Sequence, residues 1–300
     1  MRLEATASPA ALAWQAEGVF TPVQGNEIFA HVRGDGACIL LIHGFPTSGL
    51  DWRDVIGSLA KSYKCVAPDL VGFGLSDKPL AWSYSLFQQA DMIEGLLDKL
   101  DCRSAHVVSH DMGTSVHTEL LARKAEGRLS FDLASSTFLN GSILKGMATL
   151  TKFQRVLEDP ATLDEAAEMV ANLPQSYAER LRALMGRADA LSDAHAALMT
   201  ELLVHESGHL RIPNVYSYVR ERYLHKDRWV GAIQNERDAV QIIWGDADPV
   251  ANIGMGRKLH ELVPQARYCE APGVGHFLPI EAPAFVAERI AEFVAAAPAR

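Results

Sequence analysis

The chain has 300 residues, 48% of them hydrophobic and 22% charged, enough apolar material for one large α/β domain or a domain with an insertion. Its formal charge of −9 argues against a nucleic-acid footprint and against attraction to an anionic membrane surface. No apolar run reaches the roughly 18 residues needed to span a bilayer.

The opening stretch, MRLEATASPAALAWQAEG, is too interrupted by polar groups to serve as a signal peptide, so the cytoplasm is the expected location. Short apolar runs at 27–33, 37–42 and 64–68 read as strands, with a helical pattern over 51–62. A helix over 85–100, a strand over 105–109, a helix over 112–125 and a strand over 135–140 follow. The alternation then stops. From about 142 to 226 there are helical patterns (163–173, 177–186, 193–205) and no convincing strand. It resumes with strands at 240–245 and 266–271 and a closing helix over 282–297. Alternating strands and helices, with several strands apolar throughout, predict a mostly parallel central sheet flanked by helices. Residues 1–143 and 227–300 would form that core and 144–226 an inserted helical cap, over the carboxyl edge of the sheet where ligands bind. Cys38, Cys65, Cys102 and Cys269 show no CxxC spacing and read as buried thiols.

The stretch VVSHDMGTS (107–115) lies where the strand over 105–109 meets the helix over 112–125. A tight strand-to-helix turn that projects its central side chain needs small flanking residues, and Ser109 and Gly113 supply them around Asp111. The positive end of the helix favours a carboxylate there. Taken alone, Asp111 could equally be a helix N-cap. Its partners argue for chemistry. Asp248 follows a late strand in GDADPV, and His276 sits in the Gly-rich loop GVGHF after the last strand. Nucleophile, acid and histidine in that order suit a triad in which Asp248 orients His276 and His276 activates water. Asp246 is a neighbouring competitor for the acid. After strand 37–42, His43-Gly44-Phe45-Pro46 reads as an oxyanion-hole loop, with the backbone N–H groups of Phe45 and Met112 as donors. His43, Trp52, His110 and Tyr216 are candidate walls of the substrate pocket.

These pieces together (HGFPTS-x-x-DW, GFG-x-SDKP, SHD-x-G, RWVGA and DPV) resemble the aspartate-nucleophile branch of the α/β-hydrolases, over nearly the whole chain. Within it they look closest to the mesoderm-specific transcript group, which is similar to epoxide hydrolases. The resemblance implies attack by Asp111 on an sp³ carbon, giving an alkyl ester that water then hydrolyses. Two substrate classes fit, epoxides and alkyl halides. Haloalkane dehalogenases of this branch place Trp directly after the nucleophile and often Asn after the first HG; this chain has Met112 and Phe45. Haloacetate dehalogenases place Arg where Met112 stands. Epoxide opening needs a proton donor from the cap, and NVYSYVRERY makes Tyr218 the first choice and Tyr216 the next. The early cap segment MATLTKFQRVLEDP lacks the tyrosine expected as partner, leaving a histidine such as His205 or His209. The reading is therefore a hydrolase that opens a small, hydrophobic epoxide to a diol with water as co-substrate and no metal or organic cofactor. A dehalogenase and a non-catalytic binding protein on the same scaffold are the alternatives, and monomer and homodimer are both open.

Overall fold

The computed structural model describes residues 2–144 and 146–297; the first residue and the last three assigned to the core lie outside them. Eight strands form one sheet: β1 (Gly18–Val23), β2 (Asn26–Arg33), β3 (Cys38–Ile42), β4 (Lys64–Pro68), β5 (Ser104–His110), β6 (Asp132–Leu139), β7 (Ala239–Gly245) and β8 (Arg267–Ala271). Their spatial order is β1-β2-β4-β3-β5-β6-β7-β8. β2 pairs antiparallel with both β1 and β4, and every other pairing is parallel.

β1 is absent from the sequence reading. It holds Pro22 and buries only alternate residues, so it lacks the apolar run that marks the inner strands. Gln24 and Gly25 turn it into β2, both with positive φ (47° and 85°), the geometry of a two-residue hairpin. Helix α1 (Pro9–Ala16), capped by the Ser8 hydroxyl, is also additional.

The remaining core helices are α2 (Arg53–Leu59), α3 (Leu86–Lys99) and α4 (Met112–Ala125), which follow β3, β4 and β5. The cap between β6 and β7 contains α5 (Lys152–Glu158), α6 (Leu163–Ala171), α7 (Leu173–Arg182), α8 (Asp193–Val204), α9 (Ile212–Val215) and α10 (Tyr218–Leu224). α11 (Lys226–Asn235) returns to the core: the Arg228 guanidinium and Trp229 indole on it both donate to Glu119 of α4. α12 (Ile253–Leu262), α13 (Leu278–Glu281) and α14 (Pro283–Ala296) complete the chain. Among the described residues no helix is long and apolar enough to cross a membrane.

One side of the sheet packs Ile39, Leu41, Val108 and Ile243 against α2, α13 and α14. The larger apolar cluster, containing Leu40, Val107, Phe138 and Ile242, continues through α3 and α4 into the cap. With β3, β5, β6 and β7 parallel, the loops after their carboxyl ends gather along one edge. The cap lies on that edge, and three sets of the bonds that join it lie close to Asp111 and His276 or to the loops that carry them. Tyr177 Oη donates to Pro46 O (2.8 Å), the His276 N–H donates to Leu184 O (2.9 Å), and Glu281 Oε2 accepts from the N–H groups of Gly186 and Arg187 (2.9 Å each).

Candidate active site

β5 ends at His110, and Asp111 adopts φ 44°, ψ −115° before α4 begins at Met112. A non-glycine residue in that conformation is strained, and it holds only where the surroundings over-determine it. Here they do. A Cβ on Gly113 would come within 2.6 Å of the carbonyl oxygens of Ile42 and His43, so only glycine lets the turn close onto β3. The Asp111 side chain makes no N-cap hydrogen bond to its helix. Instead its Oδ2 accepts the Phe45 N–H at 2.9 Å. The Met112 N–H opens the helix and has no acceptor within it.

The second carboxylate oxygen, Oδ1, lies 3.9 Å from His276 Nε2. On the other side of that ring, Nδ1 donates to Asp248 Oδ2 at 2.8 Å. Asp248 is buried, and its remaining lone pairs are filled: Oδ1 accepts from the N–H groups of Val250 (2.7 Å) and Ala251 (3.0 Å), and Oδ2 accepts from Asn140 Nδ2 (2.6 Å). Burial alone would raise the Asp248 carboxyl, but His276, Asn140 and the Val250 N–H together hold it below its usual value. Burial pushes His276 toward its neutral form. The charges of Asp248, Asp111 and Glu281 and the Asp248 hydrogen bond outweigh this and raise it to about 9. Asp246, the neighbouring competitor, is turned away and accepts the Gly273 N–H at 2.7 Å.

Two residues that no sequence pattern singled out hold this arrangement. Asn140 closes β6 at φ 36°, donates to Asp248, and accepts the Gly245 N–H with its own oxygen at 2.8 Å. Glu281 accepts from the N–H groups of Gly275 (2.8 Å) and Phe277 (3.0 Å), on either side of His276. An asparagine after an apolar strand and an acid between two prolines are unremarkable in sequence. Only the sheet order reveals what they touch.

A cavity of about 220 Å³ opens above Asp111 and His276. The core lines it with Phe45, Pro46, Val250 and Phe277, and the cap with Phe153, Leu173, Tyr177, Arg180, Leu181 and Leu184. None of the four proposed wall residues lines the cavity. His43 is fully buried beneath the oxyanion loop: its Nδ1 donates to Gly44 O (2.7 Å), its Nε2 accepts the Leu70 N–H (3.0 Å), and burial pushes it down to about 4. Trp52 packs on the opposite side of the sheet with Val55, Ile56 and Leu278. His110 points under His276 and donates Nε2 to its carbonyl at 2.7 Å; burial, then the neighbouring His276, push it down to about 4. His43 and His110 lie at strand ends, at a crowded edge where a side chain can point below the sheet as readily as above it, and Trp52 sits in the turn that leads into α2. Tyr216 packs its ring 5.5 Å from the Phe45 ring and buries an unpartnered hydroxyl. The Tyr218 ring lies 5.8 Å from both the Phe45 and the Tyr216 rings, and Tyr218, the expected proton donor, does not line the cavity. Burial raises the Tyr218 phenol, and the Asp111 charge raises it further. Neither His205 nor His209 lines the cavity.

A carboxylate with one oxygen fixed by an N–H donor and the other facing an imidazole–carboxylate pair can attack carbon and then be released by activated water. The comparisons bear on the fold. Residues 38–283 match the family described as alpha/beta hydrolase fold. The LipZ protein of Mycobacterium tuberculosis is 38% identical over 283 residues, covering 94% of this chain and 96% of its own. The human mesoderm-specific transcript homolog protein is 31% identical over 251 residues, covering 81% and 75%. Among solved structures, the epoxide hydrolase CorEH (TM-score 0.73, 21% identity, 93% and 98% covered) and the haloalkane dehalogenase DbeA from Bradyrhizobium elkani (0.76, 22%, 93% and 99%) share the fold. The chain is a member of the α/β-hydrolase family.

Proposed function

We propose that this hydrolase opens epoxides to vicinal diols through an alkyl ester of Asp111. The observation that carries the reading is the Asp111 carboxylate itself, with Oδ2 on the Phe45 N–H and Oδ1 toward His276, and with two buried cap tyrosines packed on the Phe45 ring. A carboxylate attacking an ester carbonyl would form an anhydride, a poor route to hydrolysis. Attack by Oδ1 on an epoxide carbon gives a stable ester instead. The ring oxygen takes the proton of Tyr218. Esterification also removes the Asp111 charge that helped raise His276, so more of the imidazole is neutral and free to accept a proton in the step that needs it. Water deprotonated by His276 attacks the Asp111 carboxyl carbon, and the Phe45 N–H, assisted by that of Met112, stabilises the oxyanion on Oδ2. The intermediate then collapses: the Cγ–Oδ1 bond breaks, the diol leaves with Oδ1 and takes the proton held by His276, and the proton left on the regenerated Asp111 carboxyl returns through solvent to Tyr218. The cavity's apolar lining suits a hydrophobic substrate.

A halide leaving group would need N–H donors beside Asp111. The indoles of Trp229 and Trp244 are committed to Glu119 and to Ala251 O, and Trp52 lies across the sheet. This favours the epoxide over the halide.

The test is a His276→Gln variant incubated with a panel of aryl and alkyl epoxides and short haloalkanes. The Asp111 peptide should gain the mass of an intact epoxide. Single turnover of the unaltered enzyme in oxygen-18 water should yield a first diol without label, because its new oxygen comes from Asp111. Label in that first diol, or adducts from haloalkanes alone, would refute the proposal.

A further inference from the structure

Arg222 is a buried cation with part of its guanidinium unsatisfied. It lies on α10 one turn after Tyr218 and is only 6% exposed. Its Nε donates to Ser115 Oγ of α4 at 2.9 Å, and its Cζ lies 4.9 Å from the centroid of the Tyr218 ring. Its Nη2 is buried without a hydrogen-bond partner. Among the described residues no carboxylate lies within 4.0 Å of it. Buried charges are ordinarily paired, because the loss of hydration is otherwise uncompensated. The other buried arginine on the core helix beneath follows that rule: Arg123 contacts Asp91, Glu94 and Glu119.

We propose that Arg222 is held for a negative charge that exists only during turnover, the phenolate left on Tyr218 when the epoxide ring opens. The inference rests on the proposed reaction and extends it. As the bond from Asp111 Oδ1 to carbon forms, the ring C–O bond breaks and its electron pair goes to the ring oxygen. The proton passes from Tyr218 Oη to that oxygen. The net result is that one negative charge leaves Asp111 and arrives on Tyr218. A guanidinium over the receiving ring gains attraction along this path, and it was fixed in place beforehand by Ser115. The other groups around the ring are the Tyr216 phenol, Glu158 of α5 and Asp111 itself, so Arg222 is the cation facing it. Arg222 acts through Tyr218, which makes it a positioning residue.

A double-mutant cycle tests this, with formation of the Asp111 adduct followed by mass spectrometry in the His276→Gln background and styrene oxide as the probe. Arg222→Gln should slow alkylation by about 10- to 100-fold when Tyr218 is present. In a Tyr218→Phe background the same change should cost less than about 3-fold, because no phenolate forms there. Arg222→Lys should recover most of the rate, and Ser115→Ala, which keeps the charge but frees the side chain, should show a smaller loss. These two variants stand in if Arg222→Gln does not fold, as monitored by thermal unfolding. Equal losses in both tyrosine backgrounds, or no loss in the first, would overturn the role. If no epoxide labels Asp111 even with Arg222 and Tyr218 intact, the covalent reaction falls and this inference with it.

Discussion

The two halves of the candidate site are held in different ways. On the core side the candidate groups are held by directional hydrogen bonds: Phe45 on Asp111, Asp248 on His276, and Asn140, Val250 and Ala251 on Asp248. On the cap side Tyr216 and Tyr218 are held mainly by ring packing on Phe45 and on each other, with Arg222 over the second ring. The difference matches what each half is proposed to do. The hydrolytic step needs a fixed base and oxyanion donor, and rigid strands supply them. Ring opening needs a donor that can meet substrates of different shape, and aromatic packing tolerates small shifts that a buried hydrogen-bond network does not.

The contrast can be broken from either side, beginning with the change of largest expected effect. Tyr218→Phe keeps the ring packing and removes the proton. Adduct formation on Asp111 should fall by about 10²- to 10⁴-fold, with release of any adduct formed little changed. Tyr216→Phe should cost less, about 10-fold, if Tyr218 is the principal donor. A larger loss for Tyr216 would exchange their roles. Stopped-flow alkylation and hydrolysis rates separate the two steps.

A core defect should do the reverse. Asn140→Ala leaves Asp248 one hydrogen bond short and orphans the Gly245 N–H. Hydrolysis of the alkyl-enzyme should slow by about 10- to 100-fold, the scale of loss for a buried charge deprived of one partner. Alkylation should change far less, so the adduct accumulates even with His276 present. Equal slowing of both steps would mean that Asn140 supports the whole carboxyl edge rather than the acid–histidine pair.

The same contrast explains what was legible in the sequence. The turn at Asp111 is a local device, strand, small residue, nucleophile, glycine, helix, and its pattern survives in nine residues. Asp248 and His276 are marked by their places just beyond strands, and the parallel sheet brings those strand ends together. Asn140 and Glu281 work through contacts more than a hundred residues distant or through backbone N–H groups on a loop, and no spacing encodes either. His43 and His110 were read toward the pocket because the sequence places them at strand ends without saying which way they point, and Trp52 because it lies on the loop that follows β3. In the cap, the single turn separating Tyr218 from Arg222 is visible, but an unpaired guanidinium becomes evident only when the surrounding acids can be seen to lie elsewhere.

The smallest effect on turnover belongs to Asp51, a third buried carboxyl beside the oxyanion loop. The Thr47 hydroxyl donates to its Oδ2, while its Oδ1 has no partner. Burial, with the charges of Asp69 and Asp111, raises it to about 8 against the hydrogen bond from Thr47 and the charge of His276. A carboxyl raised in the folded state binds its proton more tightly there than in the unfolded chain. Its contribution to stability is therefore complete below the unfolded value of 3.8 and is lost as pH rises toward 8. The slope attributable to one such group is at most about 1.4 kcal/mol per pH unit. Asp51→Asn removes the titration and keeps the shape. The stability of the unaltered protein minus that of the variant, from denaturant unfolding between about pH 5 and about pH 9, should fall with pH and level off above about 8. His276, raised to about 9, titrates in both proteins and cancels in the difference. A flat difference would mean that Asp51 is ionised throughout. The oxyanion loop would then carry two negative charges, on Asp51 and Asp111, and Phe45 would be held against Asp111 despite the first rather than beside a neutral acid.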